Sequence, residues 1–220
     1  MALCWWTIAC QVVMIYLVVI IIVAIQVYLT YDMPKKQRQV QQADIQTGDV
    51  LGVSYRHLFG HLVTTWSGSI WHHTGVAWRC PSTNELYVFE AAIYGGNYRG
   101  VFRIPFDIWL KINRRMHICH LRLEGPIDTL ELDNHFRSLE VIKLDSLNWQ
   151  WYRFLQTRPY VDETPRTHYT CYEITIMLLQ RMNIVRKELA CSSYFARDVV
   201  HRKLPMEEGY SYSEAILLVQ

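Results

Sequence analysis

Three side chains, far apart along the chain, combine into one chemistry. Cys171 opens the run from Cys171 to Met182, which is apolar nearly all round, as a buried helix requires. A cysteine in the first turn of such a helix meets unpaired backbone N–H groups and the positive end of the helix dipole, and both favour the thiolate. The same amides could help hold an oxyanion. His73 opens one of two β-rich runs, His73 to Arg79 and Leu86 to Ala92, separated by the turn Pro81-Ser82-Thr83-Asn84. They read as a hairpin. A connection at 81–84 pairs residues whose numbers sum to 165, so Gly75 faces Glu90 and His73 faces Ala92. His73 and Glu90 are then diagonal neighbours on one face, with Cβ atoms ~7–8 Å apart. A carboxylate on one ring nitrogen fixes the tautomer and stabilises imidazolium, leaving the other nitrogen for a nucleophile. Taken singly, a core histidine and a small buried apolar cysteine explain these residues as well. Spacing does not choose between the readings.

Other clusters carry less. His57 and His61 share a helical face, and His117, Cys119 and His120 are close in sequence. Neither is followed by the second half of a structural zinc site, and His120 falls on the strand face opposite His117 and Cys119. No metal or other cofactor is expected. Trp149, Trp151, Tyr152 and Phe154 form an aromatic cluster. Packing is the favoured reading, and the functional alternative makes Trp149 and Trp151 the wall of an acyl pocket. Net charge is +2, from 22 basic and 20 acidic side chains, so no global field recruits nucleic acid.

The elements that must position the three residues read as α+β, an antiparallel sheet packed on helices. Val50 to Val53 is a buried strand after the Gly48-Asp49 turn, Val101 to Pro105 and Met116 to Leu123 are further strands, and His57 to Trp66 is helical. Helical spacing also covers Asp128 to Leu144 and Cys191 to Lys203. The soluble part forms one domain from Asp44 to Gln220, large enough for a core of its own.

All the charge lies beyond Tyr31. From Trp5 to Thr30 every residue is apolar except Thr7, Gln11, Gln26 and Thr30. As a helix this run exceeds the ~30 Å hydrocarbon core, and it lacks the basic start of a cleaved signal peptide. A transmembrane helix at 5–31 is therefore expected after a short N-terminus at 1–4, with a polar juxtamembrane linker at 32–43. Lys35, Lys36 and Arg38 follow it, which puts the N-terminus outside and the C-terminal domain in the cytosol. The bilayer is then a partner.

Four short motifs stand in one order: Gly48-Asp49-Val50-Leu51, His73-Thr74-Gly75-Val76, Val88-Phe89-Glu90-Ala91 and Tyr169-Thr170-Cys171-Tyr172-Glu173-Ile174. Together they resemble the permuted papain-like amidases, the circularly permuted NlpC-type proteins of the YiiX/YebB-like group, which includes poxvirus members. The similarity spans about Asp44 to Ile184. It implies a permuted papain-like fold, with Cys171 as nucleophile, His73 as general base and Glu90 as its orienter. Glu173 matches a family glutamate of open role.

The activity so implied is hydrolysis of an amide or ester through an acyl-thioester, and the anchor favours a lipid-linked or N-acylated substrate. Two other readings stand beside it: a lipid acyltransferase of the lecithin:retinol acyltransferase-like type, and a non-catalytic membrane scaffold retaining the fold.

Overall fold

The computed structural model describes residues 11–22, 33–54, 69–94, 98–139, 143–144, 168–188, 194 and 196–219. The chain divides into two compact units, Met1–Met33 and Pro34–Gln220.

In the first unit residues 11–22 form a helix, α1, whose apolar side chains from Val12 to Ile22 are exposed. Among the described residues no helix is long and apolar enough to cross a membrane. The transmembrane helix expected at 5–31 is thus not supported as a span, because only its central part is described.

The second unit is a mixed α+β fold, a seven-stranded sheet packed against helices, in the order β1-β11-β6-β2-β3-β4-β5. Its strands are β1 (Gln37–Gln39), β2 (Val50–Ser54), β3 (His73–Arg79), β4 (Leu86–Tyr94), β5 (Tyr98–Pro105), β6 (His117–Leu121) and β11 (Ile216–Val219). All neighbours are antiparallel except β1 and β11. Two small ladders lie outside it: β7 (Leu123–Glu124) with β10 (Ser211–Tyr212), and β8 (Lys143–Leu144) with β9 (His168–Tyr169). The helices are α2 (Phe106–Ile112), α3 (Thr129–Leu139), α4 (Cys171–Arg181) and α5 (Ala196–Val200).

Each face of the sheet has its own cover. Leu51, Val53, Ala77, Val88 and Ile118 gather with Phe106 and Trp109 of α2 in one buried cluster. On the other face Phe89 stacks on Phe136 of α3 with ring centroids 3.7 Å apart, and Thr74 meets Thr175 of α4. Gly52 is required on that second face, since a Cβ there would lie 2.7 Å from Cys119 Sγ and 2.8 Å from Val200 of α5.

The hairpin register is the expected one, with Gly75 opposite Glu90 and Ala77 opposite Val88. Several boundaries differ. Of the helix expected over Asp128 to Leu144 the described part is Thr129–Leu139, and Lys143–Leu144 instead pairs with His168–Tyr169, a nonlocal partner that overrides the local period. Asp128 is its cap, accepting from the backbone N–H groups of Leu130 and Glu131. The described part of the Cys191 to Lys203 helix covers Ala196–Val200. The polar stretch after Met33 holds β1, an edge strand paired with β11. The helix expected at His57 to Trp66 lies outside the described residues, as do Trp149 and Trp151.

Candidate active site

His73 is the first residue of β3, and Glu90 lies on β4 beside it. Their side chains share one face, as the register requires, and both are buried. His73 Nε2 donates to Glu90 Oε2 across 2.6 Å. The same Oε2 accepts from the indole Nε1 of Trp109 at 2.8 Å. Trp109 arrives there because β5 pairs with β4, placing Phe102 opposite Glu90, and then turns at Pro105 directly into α2. The carbonyl of Trp109 is held in turn by the backbone N–H and the side-chain amide of Asn113, at 3.1 and 3.0 Å. Nothing in the periodicity of the sequence marks Trp109. It is an indole of a short helix, and its role emerges only when the sheet is assembled.

Cys171 occupies the first turn of α4, behind the N-cap Thr170. A capping box fixes this helix end: the Thr170 side chain accepts from Glu173 N–H, while Glu173 Oε2 accepts from Thr170 N–H at 2.6 Å and Thr170 Oγ1 at 2.9 Å. Glu173 therefore caps a helix. The Thr170-x-x-Glu173 spacing in the sequence was the available signal. Cys171 is half-buried, and its thiol donates to the backbone carbonyl of His72 at 3.6 Å.

Alternation along β3 adds a constraint. Thr74 faces α4, so His73 faces α2. The thiol meets the chain at the carbonyl of His72, the residue immediately before β3. Of the two adjacent histidines, His73 carries the carboxylate partner.

A second buried histidine sits elsewhere on the sheet. His120 Nε2 is 2.6 Å from Asp49 Oδ2, and Arg38 Nη2 donates to His120 Nδ1 at 2.9 Å. A guanidinium has no lone pair to offer, so Nδ1 must accept and Nε2 must carry the hydrogen. The ring of His120 is thus held with Nε2 toward Asp49 and Nδ1 toward Arg38. Asp49 also accepts from the N–H groups of Gln46 and Leu123. Next to it the Tyr212 hydroxyl donates to the Gly48 carbonyl, and burial, then the nearby Asp49, push its pKa upward. The Gly48-Asp49 motif is thus a structural tie between β1, β2, β6 and β7. Cys119 is buried against Gly52, away from His120, and among the described residues no group of His, Cys, Asp and Glu converges to hold a metal ion.

No family model and no curated protein matches the sequence. Among solved structures, that of the metalloprotein yiiX from Escherichia coli O157:H7 is similar, with 17% identity and a TM-score of 0.46, over 79% of this chain and 89% of that one. A likeness of this strength assigns neither an activity nor a bound group to this chain.

Proposed function

We propose that the chain is a cysteine hydrolase of the permuted papain-like type, acting on an amide or ester carbonyl. The observation that carries this reading is the buried His73–Glu90 hydrogen bond at the end of β3, beside a helix whose first turn presents Cys171. Cys171 gives its proton to His73 and attacks the carbonyl carbon. The tetrahedral oxyanion is met by backbone N–H groups of the first turn of α4, and imidazolium then protonates the leaving amine or alcohol. Water, deprotonated by His73, releases the acid from the thioester and restores the thiol. Glu90 keeps the imidazole oriented and offsets the charge of imidazolium.

Membrane association belongs to this proposal. The exposed apolar helix at residues 11–22 supports an N-terminal anchor, with Lys35, Lys36 and Arg38 setting the domain on the cytosolic side. An anchored enzyme meets lipid-linked or N-acylated substrates at higher local concentration.

The test is acylation by p-nitrophenyl acetate and p-nitrophenyl decanoate, read by peptide mass spectrometry. The proposal expects a hydroxylamine-sensitive acyl group on Cys171 that is lost in His73→Ala. Acylation confined to Cys80, unchanged in His73→Ala, would favour a non-catalytic scaffold. Transfer of the acyl group to an added amine or lysolipid faster than to water would favour the acyltransferase.

A further inference from the structure

We propose that Trp109 is a positioning residue that fixes the tautomer of His73 through Glu90. This rests on reading His73 and Glu90 as the acid–base pair. Glu90 Oε2 receives two hydrogens, from His73 Nε2 and from Trp109 Nε1. The indole nitrogen only donates. Its bond therefore takes one lone pair of Oε2 while His73 Nε2 takes the other, which holds that oxygen as an acceptor toward His73. With Glu90 held as acceptor, Nε2 of His73 carries the hydrogen and Nδ1 keeps its lone pair, the form a general base requires.

A simpler account makes the contact no more than the satisfaction of a buried indole. The fold does not demand that. Trp71 is buried as well, and its indole N–H has no partner among the described residues. Trp109, by contrast, is fully buried and stacked on Phe106, with its backbone carbonyl fastened by Asn113. The group that donates to Glu90 is held from several sides.

The two accounts part on a glutamine at position 90. In Glu90→Gln, Trp109 requires that an oxygen lie at the shared corner, so the amide still accepts from His73. In the double variant Glu90→Gln/Trp109→Phe that requirement is gone. The amide is free to turn and donate its NH₂ to Nε2, which moves the ring hydrogen to Nδ1 and removes the base.

The experiment measures iodoacetamide alkylation of Cys171, resolved by peptide mass spectrometry, and the His73 tautomer by ¹⁵N NMR, on the full chain. The expected result is a loss of about tenfold or less for each single variant, and a loss in the double variant exceeding their product by about tenfold or more. The NMR signature should move from Nε2–H to Nδ1–H in the double variant alone. Losses that simply multiply, with Nε2–H retained in all four proteins, would overturn the role of Trp109 and leave the acid–base pair standing. Insensitivity of Cys171 to His73→Ala would instead remove the reading on which it rests. Circular dichroism of each variant identifies one that fails to fold, and Trp109→His, which restores a ring N–H, should recover part of the loss if the donor is what matters.

Discussion

Thr74 Oγ1 donates to Thr175 Oγ1 at 3.1 Å, and this bond fixes which face of the sheet the cysteine helix covers. A second bond, from Thr175 Oγ1 to the Thr74 carbonyl at 3.4 Å, ties the same two residues. Because Thr74 points to α4, its neighbour His73 points to α2. The geometry of the candidate site therefore turns on how the start of α4 meets the chain at His72, the residue before β3.

Thr175→Val keeps the shape of the side chain and removes both bonds. The variant should lose about 1–2 kcal/mol of stability, seen as a lower urea midpoint with an unchanged slope.

The cap of α4 separates structural from chemical roles. Thr170→Ala should cost about 1 kcal/mol in the same assay. Glu173→Gln, which still fits a capping box, should leave the alkylation rate of Cys171 within about twofold of the unaltered protein. A much larger loss would give Glu173 a part in the chemistry.

Asp49 joins four elements through buried bonds. Asp49→Ala leaves the N–H groups of Gln46 and Leu123 and the ring N–H of His120 without their acceptor. A loss of about 3–5 kcal/mol is expected, a large share of the ~5–15 kcal/mol that holds an ordinary domain folded. Thermal unfolding followed by circular dichroism measures it.

Cys80 is the thiol that any labelling study must keep apart. Hydrogen bonds from Ser82 and Thr83 in the hairpin turn lower its pKa to about 7. Its alkylation rate should rise through pH 7 and level off above it. Ser82→Ala should move that rise to higher pH, because the largest stabilising bond to the thiolate is lost. A profile unmoved by Ser82→Ala would show that the turn does not set it.

Much of this architecture could be read from residue order. The hairpin register followed from a turn of fixed length and placed His73 and Glu90 together, because strand pairing is a local rule there. The apolar run from Cys171 marked a buried helix for the same reason. Other features depend on distant partners. Gln37–Gln39 is three polar residues and becomes a strand only because Ile216–Val219 lies alongside. Leu139 and Ile142 share a helical period, yet the chain leaves the helix to pair Lys143–Leu144 with His168–Tyr169. Trp109 reaches Glu90 only after β5 has paired with β4, and Arg38 reaches His120 only through the β1–β11 edge. Side-chain bonds between elements leave no periodic trace.

The most direct measurement is the pH profile of Cys171 alkylation by iodoacetamide, resolved by peptide, in the unaltered chain, His72→Ala and His73→Ala. The account predicts a thiol in the unaltered chain that reacts at least about tenfold faster at pH 6.5 than an ordinary cysteine of pKa about 8.5. That advantage should be lost in His73→Ala and kept in His72→Ala. Equal rates in all three proteins, rising only above pH 8, would contradict it.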